Sequence, residues 1–156
     1  ETISGTATVM LIIVSATVFG YYLNWENIPT MLLNAVTSFA SNKFLVLLVM
    51  NVVLLIVGMF LEGGAALMIL APLMVPIVKA AGIDLVHFGI VCNVNIMIGG
   101  LTPPFGSMMF TCVSITDCKM QEFIKECVPF IIALLLALLL LTYIPGITML
   151  IPNLIY

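Results

Sequence analysis

Gly99-Gly100-Leu101-Thr102-Pro103-Pro104-Phe105-Gly106 is the stretch of this chain whose residue types and spacing can do chemistry. Three glycines and two adjacent prolines make a continuous helix through it improbable. Neither proline donates a backbone hydrogen bond, and the first disfavours helical backbone at Thr102. Where a helix ends, its last carbonyls lack donors and carry partial negative charge; where the next begins, its first N–H groups carry partial positive charge. Carbonyls near Ile98, Gly99 and Gly100, the Thr102 hydroxyl and the Phe105 carbonyl are hard oxygens that suit Na+ and not a soft metal. Beyond the break, N–H groups around Gly106, Ser107 and Met108 point the other way and suit an anion. Gly100, Pro103, Gly106 and Ser107 are therefore candidates for a substrate or ion site beside the cation ligands.

A second interruption repeats the pattern: carbonyls near Gly58, then Glu62, then N–H groups near Gly63 to Ala65. Two Gly/Pro-interrupted apolar segments are the mark of a secondary-transporter site. Each residue also has a plainer reading. Pro103-Pro104 could kink a structural helix, and Glu62 could sit in water on a surface turn. His87, close to Asp84 at a segment start, reads as an interface residue. Asn51, Asn93 and Asn95 either line a polar path or hydrogen-bond between helices, the commoner role for membrane asparagines.

The elements that must position these groups are apolar and long. Residues 2–25 carry no charge and suffice for one membrane-spanning helix, with Tyr21, Tyr22 and Trp25 as an interfacial belt at its end. Residues 26–42 read as an interfacial or connecting helix opened by Pro29. Residues 43–81 hold two apolar arms around Glu62, of 18 and 16 residues, bracketed by Lys43 and Lys79. Either both arms span fully, or they form a re-entrant helical hairpin whose tip stops inside the membrane. Residues 84–117 read as a discontinuous helix broken at 99–106; its 32 residues from Leu85 to Thr116 contain no Asp, Glu, Lys or Arg. A short amphipathic segment (118–126), a leucine-rich span (127–145) and an apolar tail (146–156) follow.

Composition sets the class. Of 156 residues 63% are hydrophobic and 7% charged, where soluble domains carry about 25% charged residues. The expected fold class is an all-α membrane protein. Four basic residues and a net charge of -3 give nucleic acid no electrostatic purchase. The four cysteines show no C-x-x-C spacing and there is one histidine, so zinc and redox sites gain no support and the thiols read as small hydrophobes. The lysines are balanced between the two faces, so charge does not orient the chain. It begins at Glu1 and enters an apolar span at once, with no recognisable signal peptide. That reads as a fragment, or a half built to pair with another half.

The order Gly58-Met-Phe-Leu-Glu62, Ala71-Pro72-Leu-Met-Val-Pro76, Gly82-Ile-Asp84-Leu-Val-His87-Phe-Gly89 and Gly99-Gly100-Leu-Thr102-Pro103-Pro104-Phe-Gly106 resembles one family closely. It is similar to the C-terminal part of the large membrane (M) subunit of tripartite ATP-independent periplasmic (TRAP) transporters, over nearly the whole chain. The resemblance implies one inverted repeat of an elevator-type secondary transporter in the bacterial inner membrane. It implies three partners: a small TRAP membrane subunit, a periplasmic substrate-binding protein, and the missing N-terminal half of the large subunit. It further implies a Na+ gradient as the driving force for uptake of an organic acid anion such as a C4-dicarboxylate or a sialic acid. Carried over by position, Gly58, Gly99, Thr102 and Phe105 hold one sodium ion, and no organic cofactor is involved. Glu62 stands where the family is associated with an aspartate, so the longer side chain is a candidate for the substrate or ion site and not an assigned ligand.

Other function classes have less to stand on. An intramembrane enzyme would need a nucleophile or metal cluster to accompany Glu62, Asp84 or His87, and the sequence offers none. A purely structural subunit would leave the broken helices without purpose. A different sodium- or proton-coupled anion carrier of the same repeat design would differ by lacking a binding-protein partner.

Overall fold

The computed structural model describes residues 2–28, 30–31, 34, 42–103 and 106–155. Pro29, most of the connecting segment 26–42, and Pro104 and Phe105 of the break lie outside the described residues. Among the described residues the elements are helices: α1 (Thr2–Trp25), α2 (Lys43–Phe60), α3 (Gly63–Ala80), α4 (Leu85–Leu101), α5 (Ser107–Thr116), α6 (Met120–Tyr143), and the short α7 (Pro145–Thr148) and α8 (Leu150–Ile155). Three of them, α2, α3 and α6, are long and apolar enough to cross a membrane. Each arm of the α2–α3 pair has 18 residues, about 27 Å at 1.5 Å per residue.

Local chemistry fixes the ends of these helices. Asn42 caps α2, its side chain accepting from the Phe44 N–H at 3.0 Å. Only Leu61 and Glu62 join α2 to α3, and Glu62 caps α3 by accepting from the Ala65 N–H at 3.2 Å. At the far end of α3, Gly82 takes a positive φ of 67°, and the Ile83 N–H returns to the Val78 carbonyl at 3.0 Å. Glycine adopts that backbone at no steric cost, which is why it closes helices so often. Asp84 then starts α4, one carboxylate oxygen accepting from the N–H groups of Val86 (2.8 Å) and His87 (3.1 Å). The Gly82-Ile83-Asp84 run is thus a helix stop followed directly by a helix start.

The fold is centred on α4. A core of Val46, Leu47, Met50 and Leu54 from α2, Ala66, Leu70, Met74 and Ile77 from α3, and Phe88, Cys92 and Ile96 from α4 joins three helices. Residues from the start of α2 and the end of α3 share this cluster, so the pair is an antiparallel hairpin laid on α4. A smaller cluster of Val91, Ile98 and Leu138 fastens α6 to the other side of α4. The first helix packs on α3, where Gly20 faces the Pro72 ring. Pro72 and Pro76 lie within α3 and Pro129 within α6, and both helices run on through them.

One expectation needs correction. The amphipathic segment 118–126 and the span 127–145 are not separate elements: α6 runs unbroken from Met120 to Tyr143. The change from charged to apolar residues alters what the helix faces and leaves its backbone hydrogen bonds intact. His87, expected at the membrane interface, lies at the foot of α4 and is buried among helices, 2% exposed.

Candidate functional site

The hairpin and the broken helix meet through backbone. A Cβ built on Gly99 would lie 2.8 Å from the Cα and carbonyl carbon of Gly58 and 2.9 Å from the Leu55 carbonyl oxygen. One built on Gly58 would lie 3.0 Å from the Ile96 carbonyl oxygen. Only glycine at both positions lets the last turns of α2 and α4 approach so closely, the small-residue packing that membrane helices favour. Both glycines are buried.

Past Leu101 the chain leaves the helix. Thr102 is the extended C-cap of α4; its N–H donates to the Gly99 carbonyl at 2.9 Å and its hydroxyl to the Ile98 carbonyl at 2.7 Å. In a continued helix the carbonyls of Gly99 and Gly100 would accept from residues 103 and 104, and both are prolines without an N–H. The sequence therefore removes the helical donors of the two carbonyls at the helix end. Pro103 is half-buried in the turn. Gly106, buried, is the N-cap of α5, and a Cβ there would collide with the Gly100 carbonyl oxygen and meet the Thr102 carbonyl oxygen at 3.0 Å. Ser107 is the first residue of α5. Four helix ends consequently meet: the carbonyl ends of α2 and α4 and the N–H ends of α3 and α5.

The structure brings Gly58, Gly99, Gly100, Thr102, Pro103 and Gly106 together; Phe105, the remaining expected sodium ligand, lies outside the described residues. Gly63, at the start of α3, faces the Met97 methyl, 3.2 Å from where its Cβ would be. Glu62 turns its carboxylate back on its own helix as a cap and is exposed. With Gly63 it lines an open cleft of about 460 Å³, walled opposite by Leu101 and by Met108, Thr111 and Cys112. The lining of this cleft is mainly apolar, with Glu62 and Thr111 as its polar side chains. Among the described residues no three His, Cys, Asp or Glu side chains are grouped to hold a metal ion.

A second polar feature joins Asn51 and Asn95, two of the asparagines singled out in the sequence, to Thr142 and Thr148, which the sequence reading did not single out. Asn95 on α4 donates to the Asn51 side-chain oxygen on α2 at 2.6 Å, and Asn51 donates to the Thr142 hydroxyl on α6 at 2.9 Å. The Thr142 hydroxyl in turn donates to the Leu138 carbonyl at 2.7 Å. At the foot of α4, His87 Nε2 lies 3.2 Å from the Thr142 carbonyl and Nδ1 lies 2.6 Å from the Thr148 hydroxyl. Asn95 and Thr142 are fully buried, and the side-chain oxygen of Asn95 has no hydrogen-bond partner. Isolated polar residues in three apolar spans were the available signal, but sequence alone does not say which helices touch. Asn93 stands apart: it is exposed and bonds back to the Gly89 carbonyl at 3.4 Å. Asn51 and Asn95 are therefore interhelical bonds, and the three asparagines do not form one path.

Apolar helices built around a helical hairpin and an interrupted helix define an integral membrane protein. Residues 1–147 match the family described as "Tripartite ATP-independent periplasmic transporter, DctM component", and the chain belongs to that family. It is 40% identical to the C4-dicarboxylate TRAP transporter large permease protein DctM of Pseudomonas aeruginosa, over 96% of this chain and 36% of the relative. It is 36% identical to the sialic acid TRAP transporter large permease protein SiaM of Vibrio cholerae, over 99% of this chain and 36% of the relative. It is also 40% identical to the isethionate TRAP transporter permease protein DctMQ of Oleidesulfovibrio alaskensis, over 94% and 23%. The chain thus spans 23 to 36% of the length of these relatives, all of them named as permeases and none as an enzyme.

Proposed function

We propose that this chain supplies one sodium site and part of the anion path of a TRAP large permease, which carries out sodium-coupled uptake of an organic acid across the bacterial inner membrane. The observation that carries the reading is the backbone contact of Gly58 with Gly99 at a helix end whose next donors are prolines. In this reading Na+ is cargo, held by the carbonyls of Gly58, Gly99 and Phe105 and by Thr102. The N–H ends of α3 at Gly63 and of α5 at Gly106 and Ser107 then favour a carboxylate or sulfonate nearby. Support for the substrate class comes from the relatives, whose names specify C4-dicarboxylate, sialic acid and isethionate. The α2–α3 pair acts as a re-entrant hairpin that moves with α4 in an elevator step. The partners are the small membrane subunit, a periplasmic binding protein and the rest of the large subunit.

The test is uptake by the complete complex in liposomes with its binding protein, with inward Na+ and again with K+ in its place. Thr102→Ala should raise the half-saturating Na+ concentration about tenfold, the effect of losing an interaction of about 1.4 kcal/mol with a charged group. Gly58→Leu should abolish uptake. Transport that ignores sodium, or that both variants leave intact, would reduce the broken helix to architecture.

A further inference from the structure

The contact of Gly58 with Gly99 has no interlocking side chain of its own. Around it the core is apolar, with Met50 and Leu54 of α2 against Cys92 and Ile96 of α4. Apolar contact is non-directional, and lipid is as apolar as these side chains, so burial alone does not select one register. Sliding α2 along α4 by one residue would displace the Gly58 carbonyl by about 1.5 Å. A binding constellation has to be held to within about 0.5 Å. A directional bond is needed to fix the two helices.

Asn51 and Asn95 are placed to supply it. Both helices run towards the break, with Lys43 and Asp84 at one end and Gly58 and Gly99 at the other. The bond from Asn95 Nδ2 to Asn51 Oδ1, at 2.6 Å, lies four residues before Gly99 and seven before Gly58. A hydrogen bond weakens steeply when its geometry is disturbed, so this one admits a single register. The Asn51 amide is itself held, its Nδ2 donating at 2.9 Å to the Thr142 hydroxyl, whose hydrogen goes to the Leu138 carbonyl. A third helix, α6, thus sets the orientation of Asn51.

Energetics argue against a role in stability alone. Asn95 is fully buried, and its Oδ1 has no partner. Turning both amides over would leave the Asn95 nitrogen unpaired instead. In either arrangement one buried polar atom is orphaned, which costs more than a membrane interhelical hydrogen bond returns. Two leucines would pack there without that loss. A polar pair that lowers stability within an apolar interface is how a buried asparagine specifies register.

We propose that Asn51 and Asn95 are a positioning pair: they set the register of α2 on α4, with Thr142 holding Asn51, and so align the carbonyl ends at Gly58 and Gly99. The consequence for ion binding rests on the sodium site proposed above, whereas the register itself does not.

The experiment uses the assembled permease with its binding protein in liposomes. Asn51→Leu combined with Asn95→Leu removes the pair and leaves no amide to strand. Two quantities are read. One is half-saturating Na+ for uptake. The other, measured without sodium, is the solid-state NMR cross-peak between the Gly58 carbonyl carbon and the Gly99 α-carbon in glycine-labelled protein, assigned by its loss in Gly99→Ala. The double variant should lose the cross-peak and raise half-saturating Na+ about tenfold or more, as misplacement on the ångström scale does. Half-saturating substrate at saturating Na+ should stay within about twofold, because loss of register acts through the ion site. Thr142→Val should change both quantities in the same direction by less, and Thr142→Ser, which keeps the hydroxyl, should match the wild type. These two variants carry the same test should the double variant fail to assemble. An unchanged cross-peak in the double variant, or a Thr142→Val indistinguishable from Thr142→Ser, would overturn the proposal. A lost cross-peak with wild-type sodium dependence would uphold the register role and overturn the sodium site instead.

Discussion

At Gly99 a single hydrogen atom sets the distance between two helices. Gly99→Ala places a methyl within 2.9 Å of three atoms of α2, two of them from Gly58, and all are backbone that cannot turn aside. Overpacking of this kind costs about 1–3 kcal/mol. The assembled permease should melt earlier, and half-saturating sodium should rise in parallel, in thermal unfolding run with and without the ion. The asparagine pair makes a different prediction. Asn51→Leu strands the buried Asn95 NH2 group, whose amide oxygen is already unpaired, whereas Asn51→Leu combined with Asn95→Leu leaves no amide to strand. The double variant should therefore be more stable than Asn51→Leu alone, by about 1 kcal/mol, since membrane interhelical bonds are worth roughly 0.6 on average and an orphaned buried group costs more. A double variant that melts below the single would show that packing, not hydrogen bonding, dominates there.

At the level of elements, the two-residue connector makes Glu62 a helix cap before it is anything else. Glu62→Ala should cost about 0.5–1 kcal/mol in the melting of the complex, and Glu62→Asp should recover most of it, because a shorter carboxylate caps at least as well. If Glu62→Asp also sharpens sodium dependence, the carboxylate belongs to the ion site as well. The break at 99–106, the stop and start at Gly82 and Asp84, and the hairpin connector were all legible in the sequence, because glycine, proline and capping side chains act on their own backbone. The fate of His87 was not. The Asp84 cap beside it marks a helix start, but the neighbouring Phe88 and Val91 show which face is buried only once α2 and α6 are in place. The join inside α6 was missed for a related reason: a helix continues through a change of solvent, and Lys119, Glu122 and Lys125 mark where the surroundings change, not where hydrogen bonds stop. Which helices Asn51, Asn95 and Thr142 would bridge depends on contacts up to 91 residues apart, beyond any local rule.

Among the described residues, α2, α3 and α4 form a three-helix core on which α1, α5 and α6 pack. The hairpin and α4 share a continuous core, α1 is held mainly by α3, and α6 is held by α4. Along α6 only Leu138 and Thr142 are buried, while Phe130, Ile132, Leu136 and Leu140 are exposed. Such a surface needs lipid or further protein around it, as expected of a chain that spans about a quarter to a third of its relatives. The sparse anchoring of α6 also has a consequence for inheritance. Where a side chain faces only hydrocarbon, one apolar residue serves nearly as well as another, so whatever part of this helix faces lipid is free to drift. Leu138 and Thr142, one turn apart, have no such freedom, because one fills the α4 contact and the other ties Asn51 and His87. A saturation library of residues 130–143 in the full permease, selected on its substrate, should return one intolerant stripe running through Leu135, Leu138 and Thr142, with Tyr143 constrained by its Phe44 contact.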